Sequence, residues 1–226
     1  MGGGRRVKNV AVSRPIIYGN LAVPLKPSER TADTPADHTH KWTIFIRDPT
    51  DKDADLSYFI KKVIFKLHDT YNQPSRSIEE PPFEVTETGW GEFEISIRVF
   101  FVSQAGEKNI LLYHHLKLHP YGQNAPAPAT EDGAEQPKPD LKPVDSYVYD
   151  EFVFNEPTEA MFEILTSRPG ALLPAKKSET IKYSLQTESE EIDRLSIAMD
   201  NVYQQVQRFK EKIKELEKEL SGIQGE

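Results

Sequence analysis

The chain has 226 residues, of which 37% are hydrophobic, and its formal net charge is −8 at pH 7. This length allows one globular domain plus an extension, and the apolar content can supply a core. Cysteine is absent, which excludes disulfides, a thiolate zinc site and a cysteine nucleophile. The acidic balance argues against direct sequence-specific nucleic acid binding and favours basic partners.

Membrane and catalytic classes are also disfavoured. No apolar run approaches the length of a membrane span, and residues 1–6 lack the apolar region of a signal peptide, so we expect an intracellular protein without a membrane partner. The sequence has no phosphate-binding loop and no G-x-S-x-G nucleophile elbow. The histidines His40, His114, His115 and His119 lack cysteine partners and His-Glu-x-x-His spacing, so no metal site is expected. We therefore expect neither catalytic residues nor a cofactor.

Seven short segments predict β-strands, because each is rich in β-branched or aromatic residues. They are residues 7–17, 42–47, 61–67, 83–88, 93–101, 110–118 and 147–154. Alternation is clearest over 93–99, where apolar side chains recur at every second position and charged ones point the other way. Short strands separated by turn-rich loops predict a mostly β fold, an immunoglobulin-like β-sandwich.

Two of the loops between these strands display aromatic rings beside hydrogen-bonding groups. One loop holds His68, Thr70 and Tyr71, and the other holds Trp90 and Phe93, with a glycine on each side of the tryptophan. Rings on loops commonly contact ligands, and glycine lets the backbone approach a ligand closely. The combination suits a flat, neutral, amide-like group. The alternative is that these rings are ordinary core or turn residues.

The last part of the domain is interrupted at 123–143 by a stretch rich in proline, alanine and acidic residues, which predicts a flexible insertion. A short helix is predicted from Asn155 through Leu165, with Pro157 at a tolerated early position. We expect the domain to span residues 1–170 and a linker to follow at 171–186.

From Thr187 onward a seven-residue repeat predicts a coiled coil over 187–224. The apolar positions of the repeat are Ile192, Leu195, Met199, Val202, Val206, Phe209, Ile213, Leu216, Leu220 and Ile223. Thr187 and Glu190 predict a capping box at the start of the helix. Such a long helix needs a partner, which is either a second copy of the chain, with Lys212 facing Glu217, or the helix of another protein. The alternative is that the apolar stripe folds back on its own domain.

Several motifs together make the chain recognisable. They are Arg14-Pro15-Ile16-Ile17-Tyr18-Gly19-Asn20, Trp42, Leu67-His68-Asp69-Thr70-Tyr71, Pro81-Pro82-Phe83-Glu84-Val85, Gly89-Trp90-Gly91-Glu92-Phe93 and Phe100-Phe101. With the coiled-coil tail, this set resembles the YEATS family, and within it the fungal subunits shared by a histone-variant-exchange remodeller and a histone acetyltransferase complex. The resemblance implies a nuclear chromatin subunit that reads acylated lysine on a histone tail, while its tail helix binds other subunits of the complex.

The resemblance also implies roles for the loop residues. Tyr71 and Trp90 would sandwich the planar acyl amide, while the Thr70 hydroxyl and the backbone N–H of Trp90 would donate to its carbonyl. The remaining residues of the slot would be His38, His68, Gly89, Gly91 and Phe93. Acylation removes the lysine charge, and the acyl carbonyl needs hydrogen bonds to enter an apolar slot. An unmodified ammonium group is expected to find no carboxylate there.

Three alternatives stay open at this point. The rings could form a cage for methylated lysine, because aromatic faces also attract ammonium groups, although the hydroxyl and the open glycine backbone favour an acyl ligand. The histidines near the slot could support deacylation, although nothing in the sequence supplies an activated water. The chain could also be an adaptor that works mainly through its coiled coil, without recognising acylated lysine.

Overall fold

The computed structural model describes residues 4–120, 143–178 and 181–223. The chain divides into two compact units, Met1–Leu172 and Leu173–Glu226. The predicted insertion at 123–143 lies outside the described residues, apart from its last residue. The domain boundaries expected from the sequence therefore stay a prediction.

The described part of the first unit is a sandwich of β-strands followed by a short helix. The elements are β1 (Ala11–Pro24), β2 (His40–Arg47), β3 (Ile60–Lys66), β4 (Ser75–Ile78), β5 (Glu84–Gly89), β6 (Glu94–Phe101), β7 (Ile110–His115), β8 (Val144–Asn155) and α1 (Glu159–Thr166). The strands form two four-stranded antiparallel sheets, ordered β5-β2-β1-β8 and β4-β3-β6-β7. The prediction of a mostly β, immunoglobulin-like sandwich is confirmed.

Strand boundaries differ from the sequence prediction in three places. The first strand was expected over 7–17, but β1 runs from Ala11 to Pro24 because its second half pairs with β2. The strand expected over 110–118 ends at His115, where its pairing with β6 stops. Strand β4 was not predicted from the sequence, because its four residues are mostly polar and too few to show an alternation.

The apolar inner faces of the two sheets pack against each other and form the core. Trp42, Ile44 and Ile46 of β2 are at most 1% exposed, and Val63 and Phe65 of β3 are fully buried opposite them. Burying an apolar side chain of this size contributes about 1.5–3 kcal/mol to folding. The core therefore fixes the sheets firmly enough to hold loops in place at their ends.

Asn20 in β1 joins the first sheet to the segment after β7. Its side-chain amide donates to the Lys117 carbonyl at 2.8 Å, and its carbonyl oxygen accepts the Lys117 backbone N–H at 2.9 Å. The same oxygen lies 2.8 Å from Nε2 of buried His114, which donates to it. Burial, with a smaller contribution from His115, lowers the pKa of His114 to about 4. The imidazole is therefore neutral inside the folded domain at neutral pH.

Helix α1 begins later than the sequence predicted. Thr158 caps it by accepting the Met161 N–H at 3.1 Å, so Pro157 precedes the cap instead of standing in the first turn. At the other end, the buried guanidinium of Arg14 donates to the carbonyls of Leu165 and Arg168. The first of these bonds satisfies a carbonyl that the last turn of the helix leaves unpaired, and the second fixes the segment that follows the helix.

The second unit contains one long helix, α2 (Leu185–Ile223). The repeat positions from Ile192 to Leu220 are between 42% and 72% exposed, whereas the side chain of Ile223 lies outside the described residues. The predicted capping box at Thr187 is wrong, because the helix begins two residues earlier. The hydroxyl of Ser184 accepts the Thr187 N–H at 3.1 Å, and Glu190 instead accepts from Lys177 and Gln186.

Candidate functional site

A groove opens at one end of the sandwich, between the loops that follow β1, β3 and β5. Its volume is about 900 Å³. The loop residues to which the family resemblance gives roles all line it: His38, His68, Thr70, Tyr71, Gly89, Trp90, Gly91 and Phe93. The fold therefore brings together residues that are up to 55 positions apart in the sequence, between His38 and Phe93. The role of each residue toward a ligand stays a prediction.

Tyr71 is fixed in the groove by rings and by one hydrogen bond. Its half-buried ring meets Trp42 edge-on at 5.7 Å between centroids, and Phe93 packs beside it at the same distance. The Tyr71 hydroxyl donates to the Thr88 carbonyl at 3.1 Å. Burial raises the pKa of Tyr71, so the hydroxyl keeps its proton at neutral pH. The ring is thus preorganised as one wall of a slot.

Thr70 and His68 form a small hydrogen-bonded pair on the adjacent wall. The Thr70 backbone N–H donates to Nδ1 of His68 at 3.3 Å, and the Thr70 hydroxyl lies 3.0 Å from the same nitrogen. Because Nδ1 accepts the backbone N–H, it carries no proton and can also accept the hydroxyl proton. The hydroxyl must therefore rotate away from His68 before it can donate to a ligand carbonyl.

His38 is held against β5 by Thr88. Nδ1 of His38 lies 2.7 Å from the Thr88 hydroxyl, and the His38 carbonyl accepts a hydrogen bond from Arg30. These contacts fix the loop between β1 and β2 against the end of β5. Thr88 therefore serves both sides of the groove, because its carbonyl accepts from Tyr71 and its hydroxyl contacts His38.

Trp90 stands at the mouth of the groove with 63% of its surface exposed. The glycines on either side of it differ in their surroundings. A Cβ added at Gly89 would lie 2.4 Å from the Tyr71 hydroxyl oxygen, whereas one added at Gly91 would meet nothing within 4 Å. Gly89 is therefore required so that Tyr71 can occupy its position, and Gly91 leaves open backbone beside the exposed indole.

Glu92 anchors the loop that carries Trp90. Its carboxylate accepts the backbone N–H groups of Leu118 at 2.8 Å and His119 at 3.1 Å, and it pairs with Lys117 at 2.9 Å. Partial burial disfavours its charge, but these hydrogen bonds outweigh burial and lower its pKa. The loop is thereby tied to the segment that follows β7.

Acidic side chains also line the groove. The acidic residues lining it are Glu29, Asp33, Asp37, Glu87 and Glu92. Glu87 pairs with Arg76 at 2.7 Å, and Asp33 and Asp37 are exposed at the rim. The expectation that an ammonium group would meet no carboxylate concerned the slot itself and stays a prediction. The groove around the slot does contain carboxylates.

Three residues that support the groove from behind were not predicted from the sequence. Trp42 supplies the surface on which Tyr71 and Phe93 pack, Thr88 holds Tyr71 and His38, and Glu92 fixes the tryptophan loop. Trp42 and Glu92 stood in the recognised motifs, but no spacing in the sequence shows which loops a strand residue will support.

None of the described helices has the length and apolarity of a membrane span, and no group of His, Asp or Glu among the described residues could hold a metal ion.

Comparisons with known proteins agree with this geometry. Residues 37–120 match the model of the YEATS family. The chain is 52% identical over 219 residues to the protein AF-9 homolog of Saccharomyces cerevisiae, covering 95% of both chains, and 65% identical over 178 residues to that of Yarrowia lipolytica, covering 73% of this chain and 87% of the relative.

Solved structures of the yeast AF-9 homolog Yaf9 are similar as well. The crystal structure of Yaf9 shares 53% identity with a TM-score of 0.61, covering 74% of this chain and all of that one. The Yaf9 YEATS domain bound to H3K27ac shares 52% identity with a TM-score of 0.58, and the domain recognising an H3K122suc peptide shares 51% with a TM-score of 0.56; each covers 73% of this chain and all of the other. This chain therefore belongs to the YEATS family.

Proposed function

We propose that the chain is a nuclear, non-catalytic reader of acylated lysine on histone H3 and a subunit of a chromatin complex. The observation that carries the proposal is the convergence of the aromatic loop residues, Thr70 and the flanking glycines on one groove. The YEATS domain of Yaf9, which is 51–52% identical over 73% of this chain, has been solved with acetylated and succinylated H3 peptides. Both peptides present the same planar amide on a lysine side chain.

The groove suits an amide better than an ammonium group. Tyr71 and Trp90 both line it, and flat rings on either side of a planar amide would bury its faces. The acyl carbonyl would lose its hydrogen bonds to water on entry, which costs about 1–3 kcal/mol unless they are replaced. The Thr70 hydroxyl, once rotated from His68, and the backbone N–H of Trp90 are the proposed replacements.

Recognition without hydrolysis is the second part of the proposal. The two histidines that line the groove both use Nδ1 to contact threonines, His68 with Thr70 and His38 with Thr88. A histidine that activates water is usually oriented by a carboxylate through its other nitrogen, and the contacts of these two are hydroxyls instead. This arrangement supports a structural role for both histidines, as residues that form the walls of the slot.

Helix α2 supplies the third part, attachment to other subunits. Its repeat positions are largely exposed and would bury their apolar surface on another helix, from a second copy or from a different subunit. A single small slot binds weakly, so recruitment to chromatin would depend on linkage to other nucleosome contacts in the same complex. The adaptor function is therefore complementary to reading and is not by itself sufficient for selectivity.

A pair of exposed aromatic residues gives a matched test of the reader. Trp90→Ala should reduce binding of an acetylated H3 peptide by at least about tenfold, because it removes one face of the sandwich. Tyr113→Ala is the control, since Tyr113 is 56% exposed on β7 and does not line the groove. Both variants should unfold at the wild-type temperature, because neither side chain is buried.

Fluorescence anisotropy with acetylated, trimethylated and unmodified versions of the same peptide would separate the alternatives. Tightest binding of the acetylated peptide, lost only in the Trp90 variant, supports the reader. Preference for the trimethylated peptide would assign the rings to a methyl-lysine cage. Equal binding of all three peptides would leave the adaptor function alone.

A further inference from the structure

Trp42 carries an unexplained polar atom directly behind the groove. Its indole is fully buried in β2, and Nε1 has no hydrogen-bond partner. Among the described residues it is the only buried side-chain nitrogen or oxygen in this condition. An unsatisfied buried donor costs about 1–3 kcal/mol, and such groups in native structures usually have a functional reason.

A candidate acceptor is the hydroxyl of Tyr71. A Cβ built on Gly89 would lie 2.4 Å from the Tyr71 hydroxyl oxygen and 3.4 Å from Nε1 of Trp42, so the two polar atoms converge on the same small space. The hydroxyl donates its proton to the Thr88 carbonyl, which leaves its oxygen able to accept. The Trp42 indole lowers the pKa of Tyr71 against the larger effect of burial, so its N–H already lies near that oxygen, although the pair does not have the geometry of a full hydrogen bond.

We propose that Trp42 is a positioning residue for acyl-lysine binding, whose indole N–H forms a hydrogen bond to the Tyr71 hydroxyl when a ligand presses the Tyr71 ring toward Gly89. The inference rests on the proposed reader function. In the free protein the two groups do not form a bond of normal geometry, so most of its free energy is not yet realised. In the complex it forms together with the ligand contacts, so its free energy is added to binding. Tyr71 is then held by two bonds, one to Thr88 and one from Trp42.

The indole N–H of Trp42 can be observed directly in the full-length protein. The chain has two tryptophans, so a ¹H–¹⁵N spectrum contains two indole signals, and Trp90→Phe assigns them. Saturation with an acetylated H3 peptide should shift the Trp42 signal downfield and slow its exchange with solvent. The unmodified peptide should leave it unchanged. Tyr71→Phe keeps the ring but removes the acceptor, so the Trp42 shift should disappear even at saturating peptide.

The possible results separate the two proposals. Calorimetry with the same peptides measures binding independently of the spectrum. If the acetylated peptide releases heat and shifts the Trp90 signal but not the Trp42 signal, the positioning role is overturned and the reader function stands. If neither indole responds and no heat appears, the reader itself fails. A Trp42 shift of equal size in Tyr71→Phe would also overturn the positioning role, because it would then come from ring movement alone.

Binding by variants supplies an independent measure. Tyr71→Phe and Trp42→Phe should each weaken binding of the acetylated peptide by about three- to tenfold, the range expected for one hydrogen bond. The double variant should bind no more weakly than Tyr71→Phe, because Tyr71→Phe already removes the bond that Trp42→Phe removes, together with the bond to Thr88. Independent, multiplying losses would indicate separate packing effects and contradict the proposal. Should Trp42→Phe not fold, the Tyr71→Phe spectrum alone decides.

Discussion

The two compact units of this protein use apolar side chains in opposite ways. In the sandwich, large residues such as Trp42 and Phe65 are fully buried between the sheets. In α2 the apolar repeat positions from Ile192 to Leu220 stay between 42% and 72% exposed. A buried core lets a domain fold on its own and hold loops rigidly, whereas an isolated amphipathic helix gains most of its stability from a partner. The difference supports the proposal that the first unit recognises the ligand and the second mediates assembly.

The largest expected effect tests assembly through the helix stripe. Ile213→Asp should weaken self-association or subunit binding by about a hundredfold, because it places a charge where an apolar side chain of this size would be buried. Ile197→Asp is the matched control, since Ile197 is 62% exposed, close to the 54% of Ile213, but lies off the repeat. Sedimentation of the full chain, alone and with candidate subunits, measures the change. Equal loss in both variants would contradict the assignment of the stripe.

The next largest effect is expected from acidification, which should destabilise the sandwich but not helix α2. An unfolded His114 titrates near 6.5, but its pKa is about 4 in the folded domain. The unfolded state therefore binds the extra proton, so domain stability is constant above pH 6.5 and falls by about 2–3 kcal/mol as pH drops toward 4. Buried His40 acts in the same direction, because burial and the nearby His119 lower its pKa. Urea unfolding near pH 7.5 and near pH 5 measures the loss.

Two adjacent histidines supply the control for this pH effect. His114→Gln should reduce the difference in urea midpoint between the two pH values, and it should do so for the sandwich but not for the helical signal of α2. His115→Gln alters an exposed residue on the same strand and should keep most of the difference, because His115 makes the smaller contribution to the lowered pKa of His114. An unchanged difference in both variants would show that other groups govern acid stability.

Glycine substitutions sharpen the comparison within the groove itself. Gly89→Ala should weaken acetylated peptide binding by about tenfold, because the new Cβ would displace the Tyr71 hydroxyl from its bond to Thr88. Gly91→Ala meets no neighbour in the free protein and should leave the unfolding temperature unchanged. Peptide titration and thermal unfolding of both variants provide the test. A Gly89 variant with wild-type affinity would argue against a fixed Tyr71.

The smallest expected effect concerns the start of α2. Ser184→Ala should cost about 1 kcal/mol locally, because the serine hydroxyl accepts the Thr187 N–H. Amide exchange at Thr187 should become faster, with little change near Phe209. The alternative start at Thr187 would instead make Ser184→Ala silent and Thr187→Ala costly.

Much of the fold could be predicted from the sequence, because the polarity of each strand residue indicates whether its side chain faces the core or the solvent. The alternation over 93–99 marks β6 correctly, since inward and outward side chains differ in polarity. The start of α2 was placed wrongly because two overlapping capping patterns compete, and contacts within the second unit favour Ser184. The four-residue β4 gave no signal, because it is defined by pairing with β3 and not by its own pattern.

The residues of the candidate site could likewise be predicted from the sequence only in part. Residues that display rings on loops, such as Tyr71 and Trp90, could be proposed from motifs alone. The supports could not, because Thr88 and Glu92 act through bonds to distant segments that the fold brings near. The acidic rim was missed for the same reason, since Asp33 and Asp37 belong to a loop whose position depends on β1 and β2.

The central claim is tested most directly by calorimetric titration of the full chain with one histone H3 peptide, prepared with and without acetylation of a single lysine. The reader predicts heat and saturation for the acetylated peptide and at least about tenfold weaker binding of the unmodified one. Equal affinity for both peptides, or binding of neither, would contradict the assignment of the groove and leave α2 as the functional element.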